Sequence, residues 1–294
     1  MSDVTLGVDL ADVIVRLAVA DGSGKVIERG IVASHRDAAI KDAAKKALHG
    51  GAKVKAIGVA TPGAGETISD DITSALANAT GAATKIKPIS AGMAAAIAEH
   101  RVGAAVGAKQ MITFSIAEHV TAGVLIDGKP WLGAHGLASS VGWLALNPVE
   151  REDYRRFGGL EAEVASAGIV RRFVWRIKSG DRSRVADQVK GDFAKIAAGD
   201  ILQGARTGDG VSVAVVRDTA KYIAMAVANL TTMFDPEVIV LGGIIASSGD
   251  IMIDAIKSEV SRKLMPQQYE QVRLELSSLG DDAVAIGAAL AARG

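Results

Sequence analysis

Apolar, mostly β-branched runs separated by turn residues dominate the first part of the chain. They predict four strands, at Val4–Leu10, Val13–Ala20, Lys25–Val32 and Val54–Ala60. The Asp21-Gly22-Ser23-Gly24 stretch between the second and third runs is a favourable hairpin turn. An Ala- and Lys-rich helix is predicted at Asp37–His49, before the fourth strand.

A similar order of elements returns further along the chain. Residues 64–87 are small and polar and predict a loop with a short helix, and Ala91–Val102 predicts an alanine-rich helix that permits close packing. Strands follow at Gln110–Ile116 and His119–Ile126, and glycine-rich residues 133–143 predict a long loop. The remainder predicts helices over 160–234, a strand at Val238–Leu241, a helix at Asp250–Leu264, a strand at Val272–Ser277 and a last helix at Asp282–Arg293. Two blocks that each begin with a β-meander predict two α/β domains.

Composition narrows the class of protein without naming a chemistry. The 294 residues are 49% hydrophobic and only 4% aromatic and include 33 glycines, which is typical of an α/β protein and not of a disordered chain. The 33 basic and 33 acidic residues cancel, so a basic face for nucleic acid is disfavoured. The absence of cysteine excludes disulfides, thiolate metal sites and cysteine nucleophiles. Neither a secretion signal nor a membrane-length apolar run is visible, so a cytoplasmic protein without a membrane partner is expected.

Seven separate segments carry a resemblance to a known family. They are GVDLADVIVRLAV (7–19), GVATPG (58–63), AAAIAEHRVGAAVGAK (94–109), AGVLIDGKPWLGAHGLA (122–138), GGLEAEVAS (158–166), DPEVIVLGG (235–243) and AIGAALAAR (285–293). In order and spacing they resemble the ROK family, which includes bacterial glucokinases and N-acetylmannosamine kinases. The resemblance implies a two-domain actin-like ATPase (ribonuclease H-like) fold of the sugar-kinase/hexokinase type. It implies one domain over residues 1–107 plus 281–294 and a second over 108–280.

The positions that bind nucleotide in the family are altered. The resemblance places the nucleotide site at Asp9, Asp12, Glu118, His119, Gly242 and Gly243. The family's Asp-Xaa-Gly-Gly-Thr motif here keeps Asp9 but has Ala11, Asp12 and Val13 in place of the two glycines and the threonine. A carboxylate about 5 Å from a phosphate costs roughly 3 kcal/mol per unit charge at an effective dielectric near 20, and the sequence shows no obvious cation to offset it. Asp9 either holds a magnesium-bound water, as in the family, or caps the turn.

A second phosphate-binding segment is altered as well. The family's Gly-Thr-Gly-Ile-Gly stretch corresponds to residues 117–121, where Glu118 and His119 keep the backbone from approaching a phosphate. A catalytic role for His119 is disfavoured, since neighbouring residues on a strand point to opposite faces.

The catalytic and sugar-binding positions differ too. The resemblance places the sugar site at Ser90, Ala91, Ser140, Trp143 and Glu161. The family's general base is an aspartate where this chain has Ala91, a loss that typically costs roughly 3–5 kcal/mol of transition-state stabilisation. Of the other sugar contacts only Glu161 is retained, and it has an alternative role as a first-turn acid of a helix. The segment between Pro62 and Ser90 is shorter than in family kinases, where it supplies a loop over the sugar.

The family's structural zinc site is excluded, because its histidine is Trp143 here and its three cysteines are missing. Trp143 either stacks on a sugar or fills the space that the zinc site leaves. Arg155 and Arg156 are candidates to clamp the same loop, although the charged run they belong to is also typical of a solvated face.

These losses together predict a ROK homologue that no longer transfers phosphate: a pseudokinase that binds a sugar-like small molecule or regulates a partner. The alternative is a divergent ATP-dependent sugar kinase, of glucokinase or N-acetylhexosamine kinase type, and only that alternative requires ATP and Mg²⁺. A repressor is disfavoured, since the first strand begins near residue 4 and leaves no room for the family's DNA-binding domain. A homodimer is expected from the family resemblance.

Overall fold

Two five-stranded mixed sheets, built to one plan, form the frame of the computed structural model, which describes residues 3–32, 40–42, 44–45, 53–63, 66–80 and 84–293. In each sheet an antiparallel three-stranded meander is extended by two strands parallel to its first strand. The first sheet has the order β3-β2-β1-β4-β5 and the second the order β8-β7-β6-β9-β10. The hydrophobic pattern predicted a similar order of elements in two parts of the chain, and the two sheets that these parts form have the same strand topology.

The strands agree closely with the apolar runs of the sequence. The strands are β1 (Asp3–Asp9), β2 (Val15–Asp21), β3 (Val26–Val32), β4 (Lys53–Thr61), β5 (Lys85–Ser90), β6 (Met111–Ile116), β7 (Val120–Ile126), β8 (Lys129–Pro130), β9 (Val238–Gly243) and β10 (Arg273–Leu276). The pattern missed two strands, β5 and the two-residue β8. The lysines and Pro88 of β5 are typical of a loop. Strand β5 lies at the edge of the first sheet, where a proline that lacks an N–H is tolerated.

The helices cover both sheets and fill the region between β8 and β9. In chain order they are α1 (Asp70–Thr80), α2 (Ala91–Val102), α3 (Glu152–Phe157), α4 (Gly159–Val164), α5 (Ser166–Lys178), α6 (Arg184–Gln188), α7 (Ala198–Arg206), α8 (Gly210–Phe234), α9 (Ile244–Ser247), α10 (Gly249–Ser261), α11 (Pro266–Gln271) and α12 (Ala283–Arg293). Short 3₁₀ turns occur at Val141–Trp143, Phe193–Lys195 and Gly280–Asp282. Of the helix predicted at 37–49, residues 40–42 and 44–45 are helical and the others lie outside the described residues.

The last helix is packed into the first part of the chain. Helix α12 lies against β1, β4 and helix α2. At Gly287 a Cβ atom would lie 1.7 Å from the carbonyl oxygen of Ala94 on α2, so only glycine permits this approach of the two helices. Helix α2 is also joined to the second sheet, because the Thr113 hydroxyl donates a hydrogen bond of 3.0 Å to the carbonyl of Gly92. The division into domains at 107/108 and 280/281 stays a prediction.

The sheets meet at the carboxyl ends of their parallel strands, where β1 ends at Asp9, β6 at Ile116 and β9 at Gly243. Such strand ends are the usual place for ligands in α/β folds. In the part of the chain that the structure describes, no helix combines the length and the hydrophobicity needed to cross a bilayer.

Candidate functional site

Two adjoining cavities occupy the cleft between the sheets. The smaller, of about 70 Å³, is lined by Asp9, Asp12, Ala91, Gly242 and Gly243, the residues of the predicted nucleotide site and base position. The larger, of about 250 Å³, is lined by the predicted sugar-site residues Ser90, Ser140, Trp143 and Glu161. His119 lines both. The structure therefore brings the predicted positions together, with the exception of Glu118, which is exposed and lines neither cavity.

In the turn after β1, two aspartates accept hydrogen bonds from backbone N–H groups of the turn itself. A carboxylate oxygen of Asp9, which is buried, accepts a hydrogen bond of 2.8 Å from the N–H of Ala11. Asp12 in turn accepts one of 2.6 Å from the N–H of Val13. Backbone donors that a phosphate loop would direct at its ligand are here bound to side chains of the turn. Asp9 thus has the geometry of a turn cap.

Arg16 compensates part of the negative charge of this turn. Its guanidinium lies 3.4 Å from Asp12 on one side and 2.9 Å from Asp281 on the other, and the residue is only 8% exposed. The expectation that no cation stands near Asp12 was wrong. The position of Arg16 four residues after Asp12, across a tight turn, is a signal that could have indicated the pair, whereas Asp281 is brought there only by the fold.

The close packing of β9 against β6 requires Gly242 and Gly243, the two glycines predicted for the nucleotide site. A Cβ atom at Gly242 would lie 2.2 Å from the Ser115 hydroxyl, and one at Gly243 would lie 2.1 Å from the carbonyl oxygen of Ile116. Gly243 also has a φ of 61°, which disfavours other residues. The Gly-Gly pair is explained by the sheet itself and is not evidence for a nucleotide.

The predicted base position is buried. Ala91 is the first residue of α2 and is 2% exposed, so a methyl group lies where the resemblance predicts that a kinase has a carboxylate. The adjacent cavity of about 70 Å³ has room for about two waters, each of which takes about 30 Å³ in the liquid. Among the described residues there is also no cluster of side chains suited to a metal ion.

The larger cavity contains a histidine–carboxylate pair. Nδ1 of His119 lies 3.3 Å from Oε1 of Glu161, and Oε2 of Glu161 accepts a hydrogen bond of 2.9 Å from the N–H of Val120. The hydrogen bond to Glu161 raises the pKa of His119 above its ordinary value, against the effect of partial burial. Sequence reasoning paired His119 only with its neighbour Glu118 and missed this partner, which lies on helix α4.

The glycine-rich loop forms the opposite wall of this cavity. Trp143 is 60% exposed on the rim and therefore fills no buried space, contrary to one of the two predictions for it. The Ser140 hydroxyl donates a hydrogen bond of 2.8 Å to the carbonyl of Leu137. The buried hydroxyl of Ser139, in contrast, has no hydrogen-bond partner within the described part of the chain, and its residue has a φ of 69°.

A buried carboxylate, Glu163 on α4, joins residues of α3 and α5 and the residue before α3. Glu163 accepts hydrogen bonds from Tyr154, Arg151 and Arg172 and is 3% exposed. Burial raises the pKa of Glu163, but the Tyr154 hydroxyl and the two guanidinium groups outweigh it, so the pKa lies below the usual range. Burial and the same hydrogen bond raise the pKa of Tyr154 to about 12.

Arg155 and Arg156, the predicted candidates to clamp the glycine-rich loop, are not part of the clamp around Glu163. Arg155 pairs with the exposed Glu150. The guanidinium of Arg156 lies 5.0 Å from the centre of the Phe157 ring. The clamp is built from a different set of arginines because Glu163, which they surround, becomes buried only in the fold.

Comparison with known proteins agrees with this geometry. A model of the ROK family matches residues 70–294. A glucokinase of Halalkalibacterium halodurans is 28% identical over 198 residues, which are 66% of this chain and 59% of that protein. The DNA-binding transcriptional dual regulator NagC of Escherichia coli is 26% identical over 194 residues, which are 66% of this chain and 46% of that protein. The chain thus spans about half to three fifths of the curated relatives it matches.

Solved structures share the fold along nearly the whole chain. A ROK family glucokinase from Streptomyces griseus, in complex with glucose and AMPPNP, superposes with a TM-score of 0.79 at 23% identity over 99% of both chains. A ROK hexokinase from Thermus thermophilus superposes with a TM-score of 0.77 at 25% identity over 98% of this chain and 97% of that one. The predicted actin-like ATPase fold of the sugar-kinase type is confirmed by these likenesses.

Proposed function

The chain belongs to the ROK family, and we propose that it binds a small, sugar-like ligand in the larger cleft cavity without transferring phosphate to it. The family contains proteins described as glucokinases and proteins described as repressors, so kinase and regulator are both open to a member. The observation that carries the choice is the nucleotide side of the cleft, where about 70 Å³ of space remains. A cleft that keeps a ligand cavity of about 250 Å³ but has about 70 Å³ of space on the predicted nucleotide side supports a pseudokinase with a regulatory role.

The ligand side of the cleft supports binding. The larger cavity offers an indole face, the His119–Glu161 pair and the guanidinium of Arg156 to a polar ligand. The Ser139 hydroxyl is a buried group without a partner in the described residues, and such a group costs about 1–3 kcal/mol unless something pairs with it. Ser139 lines the larger cavity, and a change of its side-chain rotamer would let this hydroxyl pair with a hydroxyl of a sugar-like ligand.

A divergent sugar kinase is the second candidate, and two observations favour it. Arg16 offsets part of the charge of Asp12. His119, which has a raised pKa and a carboxylate partner, lines both cavities and is a candidate proton acceptor there. Two observations oppose this candidate. The predicted base position holds a methyl group. The N–H groups of Ala11 and Val13 in the turn already donate hydrogen bonds to aspartates of the turn.

Calorimetry with Mg·ATP and a panel of glucose, xylose, N-acetylglucosamine and N-acetylmannosamine separates the two. Saturable binding of a sugar, with no heat from Mg·ATP and no ADP formed, is the expected result. Millimolar or tighter binding of ATP together with sugar-dependent ADP release would contradict the proposal and establish the kinase.

Two neighbouring serines provide a matched pair of variants. Ser139→Ala removes the hydroxyl that lacks a partner, and we expect it to weaken binding of the sugar found in the panel about tenfold. Ser140→Ala removes a hydroxyl already bound to Leu137 and is expected to leave affinity within about twofold. Equal effects of the two substitutions would show that Ser139 does not face the ligand.

The proposal also includes a cytoplasmic homodimer that does not bind nucleic acid. Its support is the family membership and the balanced charge of 33 basic and 33 acidic residues. Light scattering of the purified chain tests the dimer, and a single molar mass equal to the monomer would refute it.

A further inference from the structure

A third cavity, which we call the groove, opens beside the cleft and has a volume of about 830 Å³. It follows one face of helix α2: Met93, Ile97, His100 and Arg101 line it, at the three- and four-residue spacing of a single helix face. From Ala91 to Arg101 the helix rise gives a length of about 15 Å. The groove is elongated, and its volume lies within the range of about 300–1,000 Å³ that is usual for small-molecule sites.

The walls of the groove are mostly apolar. Met93, Leu125 and Leu290 form buried parts of its lining. Leu132, which is 52% exposed, closes it from the side of the glycine-rich loop. An apolar chain laid along α2 would cover this surface, and burial of apolar area is worth about 25 cal/mol per Å².

The two ends of the groove differ in charge. At the end next to the cleft, the groove shares Gly63, Glu66 and Ser90 with the larger cleft cavity, and Glu66 accepts a hydrogen bond of 3.1 Å from the N–H of Gly63. His100 and Arg101 belong to the last turn of α2, at the opposite end.

The basic side chains of the groove lack protein partners. Lys87, on the edge strand β5, is the third basic residue of its wall. In the part of the chain that the structure describes, none of these three side chains has an ion-pair or hydrogen-bond partner. The positive charges of Arg101 and Lys87 therefore remain available to a ligand.

We propose that the groove binds a straight-chain fatty carboxylate of about ten carbons, a chain that about 15 Å accommodates. The apolar chain lies along Met93 and Ile97, and the carboxylate pairs with Arg101 and Lys87. A guanidinium receives a carboxylate through two parallel hydrogen bonds, which a neutral head group cannot reproduce. The groove shares Gly63, Glu66 and Ser90 with the larger cleft cavity, but the proposed contacts of the fatty carboxylate lie farther along α2, so the proposal does not depend on the function proposed for the cleft.

Titration calorimetry of the full chain with sodium decanoate tests the proposal, with decanamide and decyltrimethylammonium as neutral and cationic amphiphiles of equal chain length. We expect one saturable decanoate site for each chain and binding of the other two that is at least about tenfold weaker. Absence of saturable decanoate binding would overturn the proposal. Binding of decanamide as tight as that of decanoate would also overturn it, because the charged end would then be irrelevant.

Variants of exposed residues locate the site without threatening the fold. The double substitution Lys87→Gln and Arg101→Gln is expected to raise the Kd for decanoate about tenfold, and Leu132→Ser to raise it about threefold. Lys257→Gln, on the exposed side of helix α10, is the matched control and should change nothing. Unaltered affinity in the double variant, with an unchanged melting temperature, would place decanoate elsewhere and refute the assignment.

Discussion

Glu161 and His119 lie 42 residues apart in the chain, and in the cleft the Oε1 atom of Glu161 is 3.3 Å from Nδ1 of His119. The same carboxylate also accepts the N–H of Val120, so it is fixed from two directions. The pair joins the acid predicted for the sugar site to a histidine predicted to stand in place of a glycine. It is the first of four features of the structure that lead to testable predictions.

The first concerns the titration of His119. The hydrogen bond to Glu161 raises its pKa above 6.5, so the pair stabilises the fold fully below that pH and the contribution is lost as pH rises through the folded-state pKa. NMR titration of the imidazole should show the raised pKa, and Glu161→Gln should return it toward 6.5. Glu118→Gln is the control, since Glu118 acts on His119 only through a weak charge interaction. An equal downward shift in both variants would rule out the pair as the main cause.

The second concerns the base position. Ala91→Asp alone is expected to produce no kinase turnover, because the turn at 9–13 and the small cavity beside Ala91 remain unchanged. The new carboxylate enters a nearly closed space and should destabilise the fold by about 1–3 kcal/mol. Coupled detection of ADP with the sugar panel measures turnover, with Ala91→Asn as the uncharged control. Sugar-dependent ADP release by the aspartate variant alone would refute the reading of Asp12 as a barrier to phosphate.

The third concerns the buried clamp around Glu163. Glu163→Gln leaves Arg172 with reduced charge compensation, so the free energy of unfolding should fall by about 3 kcal/mol, as when other buried pairs are broken. Glu150→Gln breaks the exposed pair with Arg155 and should cost less than about 1 kcal/mol. Urea unfolding at neutral pH gives both values.

The same carboxylate predicts a pH dependence. The pKa of Glu163 is lowered below 4.5, so its contribution is present above that pH and is lost as pH falls through the folded-state pKa. Wild type should therefore lose more stability between neutral and acid pH than Glu163→Gln does. Parallel curves for the two proteins would mean that Glu163 is not held as an ion.

The fourth concerns the contact between helices α12 and α2. Gly287→Ala places a methyl group against the carbonyl of Ala94 and should cost about 1–3 kcal/mol or prevent folding. Gly199→Ala, in helix α7, meets no atom within 4 Å and should stabilise by about 0.5–1 kcal/mol. Thermal unfolding followed by circular dichroism compares them, and a neutral Gly287→Ala variant would show that the helices separate without cost.

Most of the fold could be predicted from the chain alone. Helix α2 has the bounds that its alanine-rich pattern predicts, and the strands differ from the apolar runs by one or two residues. Strand β5 was missed because its lysines and proline are read as loop, and only its place at a sheet edge makes them acceptable. The family resemblance predicted the loss of the phosphate-binding turn at Asp12, of the general base at Ala91 and of the zinc ligand at Trp143. These three losses stay predictions.

The turn at Leu10-Ala11-Asp12 shows which properties the sequence determines and which it leaves to the tertiary structure. By itself the sequence determined that glycine and threonine are missing there, that no cysteine can hold zinc and that two similar α/β halves follow each other, because composition and periodicity are properties of the chain. Only the tertiary structure decided that Asp281 lies beside Arg16, that Glu161 lies beside His119 and that Glu163 is buried among arginines. Charge pairing acts over a few ångströms in space, and chain distance says nothing about which groups the packed sheets bring that close.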